Sequence, residues 1–310
     1  MIWRAARKCQ ARLLAPNILL LLSLGAPLSS CSLAILDPLG PVGRGNAQIL
    51  IDATIIMLAI VIPTIALAFW TAWRYRASNK KADYLPYWSY SGRIEAVVWS
   101  IPILTIMFLS GLIWIGSHEL DPFRPLPSKA PTLEVQVVSL DWKWLFIYPE
   151  EKVASVNQLV IPAGRPVHFS ITSASVFNVF FVPRLGSMIY AMPGMTSQLY
   201  LQADRPTQIW GTSAQFSGDG FSDMQFNVHS LTEDEFAKWI DHAKLAGPVL
   251  DQSSYSDLLH QSQRMTPTVY GKADPHLFHL IANQTVASGA GPQPEAPDHA
   301  GRETSTGGKH

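Results

Sequence analysis

Two long apolar runs dominate the first third of the chain. Residues 49–70 and 94–115 are each 22 residues long, and each contains a single charge, Asp52 and Glu95 respectively. At 1.5 Å of helical rise per residue, each run extends about 33 Å, which spans a hydrocarbon core about 30 Å thick. The pattern therefore predicts a hairpin of two transmembrane helices over 49–73 and 94–116.

From residue 132 the pattern changes to short apolar and aromatic runs interrupted by Pro, Gly, Ser and Asn. No helical period separates these runs, and regularly interrupted short strands are typical of an antiparallel sandwich or barrel. We therefore predict one all-β domain at 117–231. Its predicted strands are 132–140, 143–148, 158–161, 166–172, 178–183, 198–202, 208–213 and 224–229.

A helical segment is predicted after the β-domain, over 232–284. Thr232 and Glu235 have the spacing of a capping box, and Gly247 and Pro248 end the amphipathic helix that follows. Two weaker helices are predicted at 255–264 and 275–283. Residues 285–310 are rich in Gly, Pro, Ser, Thr and Ala without an apolar period, which predicts a disordered tail.

The first 30 residues have the layout of an export signal, with basic residues before an apolar stretch that gives way to small residues. The sequence Leu-Ser-Ser-Cys at 28–31 resembles the lipobox of bacterial lipoproteins. On this interpretation, residues 1–30 are a lipoprotein signal peptide and Cys31 becomes the lipidated first residue of the mature chain. The alternative is an incidental cysteine in an ordinary signal or anchor helix.

Charge asymmetry predicts the orientation of the hairpin. The loop at 74–93 contains five Lys and Arg residues against one acid, Asp83, whereas the segments outside the two runs are less basic. By the positive-inside rule the loop is cytoplasmic. Both ends of the mature chain, including residues 31–48 and the β-domain, then lie on the periplasmic side of a bacterial inner membrane.

Composition excludes several classes of protein. The chain has 23 Lys and Arg against 23 Asp and Glu, so it lacks the basic surplus of a nucleic-acid binder. Its two cysteines are Cys9 and Cys31. Disulfides, cysteine-ligated zinc, iron–sulfur clusters and thiolate copper sites are therefore excluded after residue 31.

Four motifs carry a resemblance to a known family. They are WRYRASNK (73–80), EAVVWSIPI (95–103), VSLDWKWLFIYPE (138–150) and FFVPRLGSMIYAMPGM (180–195). Over about 28–245 the chain resembles subunit II of haem–copper terminal oxidases, most closely the cytochrome bo-type ubiquinol oxidase branch. The resemblance implies a transmembrane hairpin joined to a cupredoxin-like Greek-key sandwich.

The same resemblance implies a role within a proton-pumping quinol oxidase. The haems, the remaining copper and the ubiquinol site would belong to a large catalytic subunit I, accompanied by further small membrane subunits. This chain would bind no cofactor, would have no activity alone and would contact membrane lipid.

The family's copper pattern is present in altered form. In cytochrome c oxidases of this family, a His and a C-x-E-x-C-x3-H-x2-M loop bind a dinuclear copper centre. The corresponding positions here are Asn178, Ser213, Gln215, Ser217, Phe221 and Met224. Serine is neutral near pH 7 and is a hard ligand, so we expect no copper here and no electron transfer from cytochrome c.

Glu95 and the DWKW motif have two interpretations each. Glu95 is either an acid favoured by the helix dipole or, by resemblance, the mouth of a proton path into the catalytic subunit; we favour the proton path. Trp142 and Trp144 are expected to pack on the catalytic subunit rather than carry electrons. Asp141 and Arg184 are candidates for pairing with the same subunit.

Other candidate ligands have simpler interpretations. His276 and His279 are expected to be ordinary surface residues, and Met188, Met192 and Met195 are expected to fill packing gaps. The alternative function is a membrane-anchored, non-enzymatic β-domain that binds a metal, a ligand or a partner protein.

Overall fold

The computed structural model describes residues 34–83 and 86–291. The predicted signal peptide, Cys31 and residues 292–310 lie outside the described residues. The chain divides into two units after Asp37. The described part of the first unit contains a 3₁₀ turn, Ala34–Leu36, and all elements below belong to the second unit.

Two long helices form the hairpin, α1 (Pro41–Arg74) and α2 (Gly92–Glu119). Each is long and apolar enough to cross a membrane. Both extend beyond the predicted spans, and α1 begins eight residues before position 49 because Pro41 occupies its first turn. The extra turns of α1 therefore project past the apolar run toward the β-domain.

The helices approach each other closely near the β-domain. A Cβ atom at Gly116 of α2 would lie 2.5 Å from Cδ1 of Ile49 on α1, so a larger residue there would have to displace the end of the Ile49 side chain. The amino end of α1 is bound to the domain, because the backbone N–H of Gly43 donates to the carbonyl of Leu185 at 2.9 Å. Arg44 also forms an ion pair with Asp204.

A six-stranded and a five-stranded sheet form a sandwich. The first sheet has the order β12-β3-β2-β1-β5-β8 and the second β4-β10-β9-β6-β7. The strands of the first sheet are β1 (Leu133–Leu140), β2 (Lys143–Tyr148), β3 (Val153–Val156), β5 (Val167–Ser173), β8 (Ser197–Leu201) and β12 (Thr268–Tyr270). Those of the second are β4 (Gln158–Pro162), β6 (Asn178–Phe181), β7 (Ile189–Ala191), β9 (Thr207–Ser213) and β10 (Gln225–Leu231).

The sandwich prediction is confirmed, and most strands pair antiparallel as expected, but two pairs do not. Strands β1 and β5 pair in parallel, as do β4 and β10. The cause is the path of the chain: after β3 it crosses to the second sheet as β4, and it then returns to the first sheet as β5, beside β1. Sequence patterning also misses β3 and β7, which are short and lack a clear apolar alternation.

Aromatic side chains fill the space between the sheets. Trp144 and Phe180 have ring centroids 5.5 Å apart, and Phe146 and Phe226 have centroids 5.1 Å apart. All four are buried in one continuous core. Alternate residues of β1 and β2, such as Leu145, point to the opposite face of the first sheet and enter a second core.

The second core is covered by the later part of the carboxy-terminal segment, whereas the first helix of the segment packs on the core between the sheets. This segment contains α3 (Glu233–Ala246), β11 (Val249–Leu250), α4 (Gln252–Leu258), β13 (Lys272–Ala273) and α5 (Leu277–Ala282). The capping box at Thr232 and Glu235 is confirmed. Helix α4 begins earlier than residue 255 because Asp251 caps it, and it ends at Leu258, before the predicted 264. Sequence patterning misses β11, β12 and β13.

The predicted disordered tail, 285–310, begins too early. Residues 285–291 are placed against the domain by backbone hydrogen bonds, including Gly289 N to Ala174 O at 2.9 Å. Gly291 N donates to Asp141 Oδ2 at 3.1 Å. Composition alone misses these contacts because they use main-chain groups, together with the packing of Val286 against the second core.

Candidate functional site

The six positions of the family's copper pattern lie at one end of the sandwich. Asn178 begins β6, and Ser213 ends the neighbouring strand β9. Phe221 lies in a 3₁₀ turn, and Met224 directly precedes β10. The structure brings Asn178, Ser213 and Met224 into contact.

These three residues bond to one another. Asn178 Nδ2 donates to Met224 Sδ at 3.3 Å, and Ser213 Oγ donates to Asn178 Oδ1. The backbone N–H of Val179 also donates to Asn178 Oδ1, at 3.1 Å. All three side chains are buried. The positions that would converge on a metal are therefore joined by a hydrogen-bond network.

The remaining three positions belong to the loop between β9 and β10. Ser217 is buried, and its hydroxyl has no hydrogen-bond partner among the described residues, whereas Gln215 is exposed. Phe221 contacts the ring of Phe216 at a centroid distance of 5.7 Å. The three side chains do not form one convergent set of donors.

Trp142 holds this loop in place. Its indole Nε1 donates to the carbonyl of Ser217 at 3.1 Å. A Cβ atom at Gly220 would lie 2.3 Å from Cδ2 of Trp142, so only glycine permits the ring to pack there. Trp142 itself has φ 62°, a backbone conformation that is strained for a bulky residue.

The donors at these positions do not fit a dinuclear copper centre. Such a centre needs soft thiolate sulfur and imidazole nitrogen. The six positions offer amides, neutral hydroxyls, a phenyl ring and one thioether. Across the part of the chain that the structure describes, no group of three or more His, Cys, Asp or Glu side chains is placed to hold a metal ion.

Two of the predicted interface residues are used inside the chain. Trp144 is wholly buried in the core between the sheets, so the expectation that it packs on a catalytic subunit is wrong. Asp141 is also buried, and its carboxylate accepts hydrogen bonds from Ser175 Oγ and Gly291 N. Pairing of Asp141 with another subunit stays a prediction.

Arg184 lies in the loop after β6, where the β-domain meets α1. Its carbonyl accepts a hydrogen bond from Leu39 N at 2.8 Å. The side chain is partly exposed and also has an interaction within the chain. The structure thus places Arg184 at the junction between domain and helix, and its contact with another subunit stays a prediction.

Glu95 lies in the first turn of α2, at the end of the hairpin that carries the basic loop. Its backbone N–H donates to Ser91 O at 2.9 Å. Its side chain is exposed and makes no hydrogen bond or ion pair with the described residues. The carboxylate is therefore available to water or to a neighbouring protein.

The simpler expectations have mixed outcomes. His276 and His279 are exposed, as predicted for surface residues. Met188 and Met195 are exposed rather than packed, while Met192 is partly buried. The packing expectation fails for Met188 and Met195 because they lie in loops at the end of the sandwich rather than on inward-facing strand positions.

Sequence reasoning misses a buried lysine next to this site. Lys143 Nζ donates to His260 O at 2.7 Å and to Ser262 Oγ at 2.6 Å. Burial lowers the pKa of Lys143, and the nearby charge of Asp141 partly opposes this shift. The sequence hints at this burial in one way: Lys143 is the first residue of a strand that is otherwise apolar.

The fold and the site together define a class of protein. A hairpin of two apolar helices joined to a cupredoxin-like β-sandwich is the architecture of subunit II of haem–copper oxidases. Residues 133–231 match the family described as "Cytochrome C oxidase subunit II, periplasmic domain".

Similarity to curated proteins gives the branch. The chain is 48% identical over 257 residues to ubiquinol oxidase subunit 2 of Acetobacter aceti, covering 82% of this chain and 83% of the relative. It is 42% identical over 276 residues to cytochrome bo(3) ubiquinol oxidase subunit 2 of Pseudomonas aeruginosa, covering 89% and 83%. The chain belongs to the ubiquinol oxidase subunit 2 family.

A solved structure matches with lower similarity. The periplasmic domain of subunit II of cytochrome oxidase of Bradyrhizobium japonicum is 22% identical, with a TM-score of 0.36. The match covers 39% of this chain and 98% of that chain. The family assignment does not depend on it.

Proposed function

We propose that this chain is the membrane-anchored subunit II of a proton-pumping, cytochrome o-type ubiquinol oxidase. The complex couples the oxidation of ubiquinol to the reduction of dioxygen to water. The observation that carries this proposal is the 48% identity to a ubiquinol oxidase subunit 2 across most of both chains. The haems and the copper belong to a large catalytic subunit I, with further small membrane subunits beside it.

Within this complex the β-domain is a copper-free scaffold. Its copper-type positions carry the buried Asn178–Ser213–Met224 network, which offers no thiolate or imidazole ligand. Electrons therefore bypass the domain and arrive from a lipid-soluble quinol within the membrane. Cytochrome c is not a partner on this account, and the chain alone has no activity.

The proposed location is the inner membrane of a bacterium. Five basic residues against one acid in 74–93 support a cytoplasmic loop and a periplasmic β-domain. The amino end of the mature chain is then periplasmic too, which suits a lipid attached at Cys31. The carboxy terminus lies on the same side, because an even number of spans separates the two ends.

Glu95 is proposed as the entrance of a proton path into the catalytic subunit. Three features support this role: its place in the first turn of a membrane-spanning helix, its exposure, and its lack of a partner within the described residues. An ionisable side chain at such a position is a functional candidate by default.

The surface near β6 and β7 is proposed to face the catalytic subunit. Phe177 and Tyr190 are exposed there, with ring centroids 4.9 Å apart, and Met188 is exposed nearby. Exposed aromatic and methionine side chains are enriched at protein interfaces. Arg184 lies on the loop that follows β6 and would add a charge to this contact.

Purification of the full tagged chain in mild detergent tests the proposal. Haem absorption bands and a large membrane subunit should elute together with the tag. Elution without haem and without a large partner would contradict it, and would favour a non-enzymatic β-domain instead. The tag is placed at the carboxy terminus, because an amino-terminal tag would be removed with the proposed signal peptide. Haem absorption of membranes that contain the untagged chain controls for disruption of assembly by the tag.

A further inference from the structure

An apolar groove lies between the two helices at the end that carries the basic loop. It has a volume of about 690 Å³ and is bordered by Ile60, Thr64 and Leu67 of α1 and by Arg93, Val98 and Pro102 of α2. We call this the interhelical groove. Its lining is aliphatic apart from Arg93 and the hydroxyl of Thr64.

The one charged group of the interhelical groove, Arg93, lies at the end that carries the basic loop. Thr64 Oγ1 already donates to Ile60 O at 2.8 Å, within its own helix. Arg93 makes no hydrogen bond or ion pair with the described residues. Because α2 rises 1.5 Å per residue, Pro102 lies about 13.5 Å further into the membrane than Arg93. The groove thus has one cation at its mouth and an apolar interior.

The charge around the mouth is strongly positive. The adjacent loop adds Arg74, Arg76, Lys80 and Lys81, against Asp83 in the loop and Glu95 in the first turn of α2. Basic clusters next to membrane helices attract anionic lipid headgroups, and basic pockets between helices bind them directly. A neutral helix from a partner would instead bury Arg93 without a counter-charge, which is costly in the membrane.

We infer that the interhelical groove binds an anionic phospholipid, with its phosphate on Arg93 and one acyl chain along the apolar faces of both helices. The observation that carries this assignment is that the interhelical groove has a cation at one end and an apolar lining beyond it, which matches an anionic headgroup and an acyl chain. It goes beyond the role of the chain in quinol oxidation and does not depend on that role.

Native mass spectrometry of the purified complex tests this site. The complex is stripped of lipid in detergent and then exposed to phosphatidylglycerol, and the number of bound lipid molecules is counted. Arg93→Gln should reduce retention of one lipid at least about tenfold, whereas Arg93→Lys should retain it. The matched control is Arg76→Gln, which removes the same charge from an arginine that already binds Trp73 O and Ser78 Oγ.

A second variant independently tests the apolar part of the interhelical groove. Val98→Trp should fill the interhelical groove and displace the same lipid without removing a charge. Haem spectra and elution volume report whether each variant still assembles, so a lost lipid is distinguishable from a lost complex. Equal loss with Arg76→Gln and Arg93→Gln would overturn the inference, because it would show only diffuse attraction.

Photo-crosslinking identifies the occupant directly. A photoreactive amino acid at Ile101, which also borders the groove, should label phosphatidylglycerol in the assembled complex. Labelling of a peptide from another subunit would overturn the inference in favour of a protein occupant. Haem co-elution is unaffected by either result, so failure here is separate from failure of the proposed oxidase role.

Discussion

The residues at the copper-type positions determine whether this end of the sandwich can bind a metal. Asn178, Ser213 and Met224 occupy positions where the copper-binding relatives require metal ligands, and here they bond to one another. Buried polar groups are costly when unpaired, so this network stabilises the pocket in the absence of a metal. The positions that would bind an electron-accepting metal thus form hydrogen bonds that close the end of the sandwich.

Replacing Glu95 tests its role at the residue scale. In the assembled complex, Glu95→Gln should slow quinol oxidation and proton uptake at least several-fold, because the amide cannot take up and release a proton. Glu95→Asp should restore part of the rate. The measurement is oxygen consumption together with proton uptake in reconstituted vesicles. Asp83→Asn removes an acid from the adjacent loop as a control, and equal rates in all variants would contradict the role.

Tyr148 is predicted to be the most costly hydroxyl to remove. Its fully buried OH donates to Val160 O at 2.9 Å and accepts from Val160 N at 2.8 Å. Tyr148→Phe leaves both peptide groups unpaired and should lower the free energy of unfolding by about 1–3 kcal/mol. Urea unfolding of the full chain in mild detergent, followed by tryptophan fluorescence, measures this loss.

The exposed Tyr190 provides the control for Tyr148. Tyr190→Phe should change the free energy of unfolding by less than about 0.5 kcal/mol. A similar loss for both variants would show that the hydroxyl bridge of Tyr148 is not what stabilises the sandwich.

Residue pairing explains which parts of the site were predictable. The six copper-type positions are located by the resemblance to the family's copper pattern, and five of them lie within 213–224. The partners of Lys143 are 117 and 119 residues away, and no local pattern indicates such contacts. The same reason applies to Asp141, whose partner Gly291 lies 150 residues further along.

At the level of elements, the carboxy-terminal segment forms a third layer. Strand β2 is buried along its whole length, with Trp144 and Phe146 in one core and Leu145 and Ile147 in the other. A half-exposed strand would alternate apolar and polar residues, so the unbroken run of β2 is itself a sign of cover on both faces. Residues 249–291 provide the cover on the second face, whereas α3 packs on the core between the sheets.

Acid is predicted to loosen α4 in a defined pH range. Asp251 caps this helix by accepting hydrogen bonds from Ser253 and Ser254, which lower the pKa of its carboxyl to about 2. A lowered carboxyl pKa stabilises the fold above the unfolded value of about 3.9, and this stabilisation is lost as the pH falls toward 2. Hydrogen exchange of the α4 amides between pH 5 and 2 measures the loss. Protection should fall between the unfolded pKa of about 3.9 and the folded pKa of about 2.

Asp251→Asn is the matched variant for this prediction. The amide oxygen can still cap the helix but cannot titrate in this range. The variant should therefore lack the part of the pH dependence that arises from Asp251. Identical acid profiles for the two proteins would contradict the assignment.

Element boundaries show where patterning is insufficient. The apolar period predicts the helices of the hairpin and most strands of the sandwich, because long apolar runs and regular interruptions are strong signals. It misplaces α4, whose first turn of Gln and Ser residues has no apolar period and depends on the Asp251 cap. It misses β3, a short strand that is stabilised by pairing with β2 and β12 rather than by an apolar alternation of its own.

For the whole molecule, the important feature is the continuity between membrane and domain. Helix α1 extends beyond its apolar run and is joined to the sandwich through Gly43, Leu39 and the Arg44–Asp204 ion pair. The hairpin and the β-domain therefore belong to one compact unit. Such a chain suits a scaffold that holds a domain against a membrane partner, rather than a mobile electron carrier.

The choice of reductant by the purified complex tests the central claim most directly. Oxygen consumption is measured with ubiquinol and, separately, with reduced cytochrome c at matched electron supply. The account predicts rapid turnover with ubiquinol and only background oxidation of cytochrome c, because the β-domain has no ligands for a copper relay. Oxidation of cytochrome c at a rate comparable to that of ubiquinol would contradict it.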